Sequence, residues 1–156
     1  MRVDEVMTRE VVTVAPETPV QDVAALLLAH RISGLPVCRG GDVVGVVSEE
    51  DILYRGLEPN ERGGGPLAWF AGWPAGAALK ANARVAADVM TSPALTIAWD
   101  RPVSAAARIM LRQDVDRLPV LGRGGELVGI VSRADVVRAF ARPAGEPRQE
   151  SKRAQR

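Results

Sequence analysis

Gly45-Val46-Val47-Ser48-Glu49-Glu50-Asp51 returns 84 residues later as Gly129-Ile130-Val131-Ser132-Arg133-Ala134-Asp135. In both copies a continuous apolar run passes into Ser, with Asp three residues on. The run reads as a buried strand. The Ser and Asp read as a helix N-cap and its partner carboxylate at the third helical position. Upstream the echo continues at an offset of 83: Val6-Met7-Thr8 recurs as Val89-Met90-Thr91, and Leu35-Pro36-Val37 as Leu118-Pro119-Val120. One extra residue near Arg123 accounts for the change of offset. From Val6 to Asp51 the copies share 19 of 46 positions, so one supersecondary unit occurs twice, too small to be comfortable alone.

Each unit reads β-α-β-β-α, a mixed α/β (α+β) class. Val11–Val14 and Ala94–Ile97 are short β-favouring runs. Pro19 and Pro102 suit the first turn of a helix. The helix then carries Val20, Val23, Ala24, Leu27 and Leu28, or Val103, Ala106, Ala107, Met110 and Leu111, an i, i+3, i+4, i+7 stripe. A strand follows near Leu35–Cys38 or Leu118–Leu121. The Gly-rich turns Arg39–Asp42 and Gly122–Gly125 signal hairpins. The closing strands are Val43–Val47 and Leu127–Val131. The last helix carries Ile52, Leu53 and Tyr54, or Val136, Val137 and Phe140. The expected organisation is repeat 1 over 1–57, a linker over 58–84, repeat 2 over 85–141 and a tail over 142–156. Trp69 and Trp73 in the linker are four apart, as on one face of a short helix. The tail carries five basic and two acidic residues and too little hydrophobicity to order itself.

Composition narrows the function. The chain has 156 residues, 47% hydrophobic and 25% charged, and a net charge of +1. That balance excludes binding to nucleic acid by charge alone, and the tail lacks the interleaved aromatics of a nucleic-acid surface. No apolar run approaches a membrane span. Acids occupy the leading segment where an export signal needs an apolar core. The lone Cys38 fits a reducing cytoplasm. Eighteen of the twenty basic residues are Arg, which points to a GC-rich bacterial source. One His and one Cys leave almost no material for a zinc site. Gly63-Gly64-Gly65-Pro66 lacks the Lys-Ser/Thr of a phosphate loop, and His30 has no partner in a nucleophile motif, so nothing points to an enzyme.

The pattern V-M-T, L-P-V and G-(V/I)-V-S-x-x-D, twice and in order, resembles a tandem pair of CBS domains, the family named after cystathionine β-synthase, and in particular its bacterial stand-alone members. The resemblance implies a pseudo-two-fold module with two clefts between the repeats. It implies a non-catalytic regulatory role, an adenosyl ligand (AMP, ADP, ATP, S-adenosylmethionine or NAD), a regulated partner that the sequence does not name, and a homodimer built helix to helix.

The residues allow chemistry of that kind. A helix that opens at Ser offers free N–H groups and a positive end to phosphate. The Asp can accept hydrogen bonds from a ribose diol. Each Ser–Asp pair is equally readable as a capping box with no ligand. By the resemblance, one cleft combines Ser132 and Asp135 with Val11, Val12, Ile32, Ser33 and Gly34. The other combines Ser48 and Asp51 with Ala94, Leu95, Val115, Asp116 and Arg117. The first is expected to prefer a nucleotide, because Arg133 adds a cation at its rim and its facing segment is small and uncharged. At the second mouth, Glu49, Glu50 and Asp51, with Asp116 opposite, repel phosphate; Arg117 offsets part of this, unless it simply pairs with Asp116. His30 and Arg31 read as a solvated helix end that could reach a phosphate. The competing reading is a ligand-free dimerisation module that docks through its helices and Trp segment.

Overall fold

The computed structural model describes residues 1–56 and 84–141. The expected Trp69–Trp73 helix and the tail from 142 lie outside the described residues. A 3-10 turn, Val3–Glu5, opens the chain. Then come α1 (Val20–His30), β1 (Gly34–Arg39), β2 (Asp42–Ser48) and α2 (Glu49–Asp51), which runs on as a π-helical turn, Ile52–Gly56. The second copy comprises α3 (Ala86–Val89), β3 (Ile97–Ala98), α4 (Val103–Gln113), β4 (Arg117–Leu121), β5 (Leu127–Ser132) and α5 (Arg133–Ala141).

Both hairpins form where the apolar runs and glycine turns place them. β1 pairs antiparallel with β2, closing on Gly40 and Gly41 at φ 56° and 93°. β4 pairs antiparallel with β5 over a longer turn that holds the extra residue. A bulge falls at the same place in each copy, after Val37 and after Val120. The leading strands are shorter than expected. Val11 and Val12 lie in no strand and only Val14 bridges Val37, while in the second copy Ile97–Ala98 pair in parallel with Val120–Leu121. The helix stripe is also narrower. Val20, Val23 and Leu27 are buried, as are Val103, Ala106 and Met110, but Leu28 and Leu111 turn outward at 78% and 77% exposure.

The main departure concerns which segment packs where. Val3 is fully buried in a core with Met110, Leu118, Val120 and Val131. Ala86 and Val89 are fully buried with Val23, Leu35, Val37 and Val47. Each copy thus lends its leading segment to the other copy's core. The V-M-T motif is the stitch. Thr8 and Ile130 exchange N–H···O bonds of 2.9 Å each, and Thr91 and Val46 exchange bonds of 2.9 and 3.1 Å. This covers the open edges of β5 and β2, where unpaired backbone groups would cost free energy. Met7 lies so close to Gly129, and Met90 to Gly45, that a Cβ at either glycine would meet the sulfur. Arg2, ion-paired with Asp4, stacks 4.7 Å from the Trp99 ring and holds the N-terminus on the second copy. The expected boundary at 57/85 therefore separates sequence copies, not cores. Two small cores, each short of buried area, are locked into one body by the exchange.

Candidate functional site

A cleft of about 310 Å³ opens between the copies. Val11, Val12, Ile32, Ser33, Gly34, Ser132 and Asp135, all seven residues expected of the first cleft, line it. Thr8, Glu10, Arg31, Pro36, Arg117, Ile130 and Arg138 complete the lining. The fold brings them together simply. The exchanged segment 8–12 passes along one wall, the start of β1 forms the floor, and the β5–α5 junction forms the opposite rim.

That junction is a complete capping box. Asp135 N–H donates to Ser132 Oγ at 3.3 Å, and Ser132 N–H donates to Asp135 Oδ2 at 2.8 Å. The Ser132 hydroxyl donates to the same oxygen at 2.8 Å. Arg138, one turn on, ion-pairs with Oδ1 at 2.5 Å. The Asp135 carboxylate is thus fixed by the cap on one side and by a guanidinium on the other, and only 12% of it is exposed. Oδ2 already accepts twice, and Oδ1, which among the described residues accepts only from Arg138, keeps a lone pair for a further donor. The box also forms at Ser48–Asp51, with bonds of 2.9 and 3.2 Å. There Oδ1 accepts from the Thr91 hydroxyl at 3.4 Å instead of from an arginine. Capping and ligand readings are therefore compatible, because the cap orients the carboxylate toward the rim.

Three arginines reach the first cleft: Arg31, whose helix end reads as able to reach a phosphate, and Arg117 and Arg138, which the sequence does not place there. Arg31 ends α1 in the left-handed region, φ 51° and ψ 46°, a conformation that costs about 1–2 kcal/mol for a residue with a side chain. A helix-end cation was the plainer reading of its position, yet it lines the cleft. Arg138 follows Asp135 at i+3, a spacing that puts both on one rim and could have been read from the sequence. Arg117 was expected in the second cleft, and the first was expected to lack it. Instead its Nη2 donates to Ser33 Oγ at 2.5 Å, and its guanidinium covers Gly34 so closely that a Cβ there would collide with it. Arg117 is pulled below the usual arginine range by burial, opposed by the charges of Asp116, Glu49, Asp51 and Glu50 in that order.

Two other rim charges differ from expectation. Arg133 does not serve the cleft. It ion-pairs with Asp116 at 3.0 Å and Asp114 at 3.3 Å, and donates to the Val115 carbonyl. Asp116 is accordingly held by Arg133, not by Arg117. Of the second expected set, Ser48 and Asp51 are joined by their cap, Val115 and Asp116 meet through Arg133, and Arg117 leans away into the first cleft. Ala94 is half-buried and Leu95 is 38% exposed on the segment leading to β3.

The family model of the CBS domain matches residues 3–58 and 85–142. The fold and the duplicated strand–Ser–helix junction agree with it, and the chain belongs to the CBS-domain family as a tandem pair. An uncharacterized protein of Methanocaldococcus jannaschii is 31% identical over 90% of this chain and 91% of its own length. The inosine-5'-monophosphate dehydrogenase of Korarchaeum cryptofilum is 30% identical over 86% of this chain. The chain spans only 23% of that dehydrogenase. Among solved structures, Arabidopsis thaliana CBSX2 in complex with AMP superposes with a TM-score of 0.68 at 31% identity, covering 90% of this chain and 96% of that one. CBS pairs are in general regulatory modules rather than catalysts. Among the described residues, no helix is long and apolar enough to cross a membrane.

Proposed function

We propose that this chain is a regulatory module that binds an adenosyl ligand in the Ser132–Asp135 cleft and reports its occupancy to a partner, without catalysis of its own. The observation that carries this is the cleft itself, which brings apolar, hydroxyl-reading and cationic groups together around one space. Val11, Val12 and Ile32 offer an apolar slot for adenine. Asp135, held by its cap, accepts ribose hydroxyls. Arg31, Arg117 and Arg138 surround the place a phosphate would take, beside the N-terminus of α5. That the similar CBSX2 was solved with AMP supports an adenine nucleotide; S-adenosylmethionine, ADP, ATP and NAD are tested beside it.

Thermal shift and calorimetry decide the matter. A ligand at 100 times its dissociation constant stabilises by about 2.7 kcal/mol. A panel in which AMP gives such a shift supports the reading, and a flat response to every adenosyl compound overturns it. A ligand-free interaction module is the second reading. It is favoured by the outward Leu28, Leu53, Tyr54, Leu111, Val137 and Phe140, which are 62–78% exposed on the helices. The same faces lead us to propose a two-fold homodimer. Light scattering should give twice 16.6 kDa at micromolar protein, and a monomer mass removes the dimer. The lone Cys38 and the arginine-rich composition support a cytoplasmic, bacterial setting.

A further inference from the structure

Arg117 and Gly34 occupy equivalent positions in the two copies, each directly before Leu-Pro-Val. Each also pairs with the Ser of its own hairpin, Arg117 with Ser132 and Gly34 with Ser48. The two starts of strand come together through the Arg117 side chain, which lies over Gly34. There the guanidinium fills the space that any side chain at position 34 would need. One copy supplies a cation and the other supplies the room for it. The room lies on the side of the first cleft, where Ser33 Oγ accepts from Nη2. On the other side stand the acids Glu49, Glu50 and Asp51, whose charges Arg117 also feels. A second guanidinium does not fit beside the first.

We propose that the Gly34/Arg117 pair is a selector: a single shared guanidinium decides which of the two clefts accepts a phosphate, and confines phosphate-bearing ligands to one cleft per chain. The selector deepens the adenosyl-binding reading and rests on it. The physical case is exclusion plus charge. A half-buried guanidinium that, among the described residues, donates one side-chain hydrogen bond in the cleft, to Ser33, has five N–H donors to share with an anion. Drawn toward a phosphate in the first cleft, it leaves the Glu49–Asp51 mouth uncompensated, and a second anion there is repelled within the range over which charges act unscreened. The selector therefore specifies stoichiometry as well as site.

The test exchanges the two residues in the full chain. Calorimetry with AMP is run on the wild type, on Arg117→Gln and on the double variant Gly34→Arg/Arg117→Gly, each with and without Asp135→Ala or Asp51→Ala. The wild type should bind one AMP per chain, with the loss falling on Asp135→Ala. Arg117→Gln should weaken AMP by about 10- to 100-fold, the worth of a charge-assisted contact, while adenosine, which has no phosphate, changes by less than about threefold. In the exchanged chain the larger loss should move to Asp51→Ala. If the exchanged chain does not fold, Gly34→Ala replaces it; its Cβ unseats the guanidinium without removing the charge, and AMP but not adenosine should weaken. AMP binding that still depends on Asp135 in the exchanged chain, or that is indifferent to Arg117→Gln, overturns the selector and leaves the adenosyl reading standing. Absence of AMP binding to the wild type removes the selector, and absence of binding by every adenosyl compound removes the adenosyl reading as well.

Discussion

The two copies share a backbone plan and differ in what they put on it. At the first rim stand Arg31, Ser33 and Arg138; at the equivalent positions of the other copy stand Asp114, Asp116 and Tyr54. The first helix mouth reads Ser-Arg-Ala-Asp and the second Ser-Glu-Glu-Asp. The capping boxes are nevertheless nearly superimposable in their bonds. Duplication thus preserves what folding needs, namely strand, turn, cap and stitch. The charges around the caps are released from that duty and have diverged until one rim is cationic and the other acidic. Even Arg133, nominally on the cationic side, is spent on Asp114 and Asp116.

The strongest way to sharpen the comparison lies in the cores. Leu35 and Leu118 are equivalent and fully buried. Leu35→Ala and Leu118→Ala should each cost about 2–5 kcal/mol in denaturant unfolding. Because of the exchange, Val3→Ala should loosen the β4–β5 hairpin rather than β1–β2, and Val89→Ala the reverse. Hydrogen exchange that loosens the hairpin nearest in sequence would break this account of the fold.

Next come the two aspartates. Asp135→Ala and Asp51→Ala should each lose about 1 kcal/mol of stability with the cap. Only Asp135→Ala should also lower AMP affinity by tenfold or more. Equal losses of affinity from both would erase the difference between the clefts.

Arg31→Gly probes the strained helix end. Glycine adopts φ 51° without penalty, so stability should rise by about 1 kcal/mol while AMP binds more weakly. Its counterpart Asp114→Gly shares the backbone angle, at φ 51°, and should stabilise without touching AMP. A gain in stability with unchanged AMP affinity for Arg31→Gly would show the cation to be a bystander.

The smallest effect concerns Cys38, whose place in the second copy is taken by Leu121. Burial, then the charge of Asp42, pushes its thiol up. The thiolate is thus scarcer than in a free cysteine at neutral pH, and alkylation by iodoacetamide should be slower. Labelling as fast as a free thiol would show the β1–β2 edge to be open.

Much of this was legible from residues alone. The two hairpins follow from continuous apolar runs around glycine turns, and the caps from Ser-x-x-Asp, because these are local rules with a reach of three or four residues. The seven residues expected of the first cleft line one cleft in the structure, because the family pattern relates one copy's junction to the other copy's segment. The errors are of one kind. Leu28 and Leu111 were put on the core face because a helical stripe does not say how wide its partner is. Arg117, expected at the second cleft, lines the first, because its side chain takes the space over Gly34, a residue 83 positions away.

By itself, then, the sequence determined the duplication, the β-α-β-β-α unit, the caps, the hairpins and the sign of charge at each helix mouth. All of these are encoded in short-range spacing and in side-chain chemistry. Only the tertiary structure decided that the Val-Met-Thr segments cross over to the opposite cores, that Arg133 is consumed by Asp114 and Asp116, and that the Arg117 guanidinium lies over Gly34. Those outcomes depend on which open sheet edge is nearest and which space is empty, and neither is a property of any stretch of chain read alone.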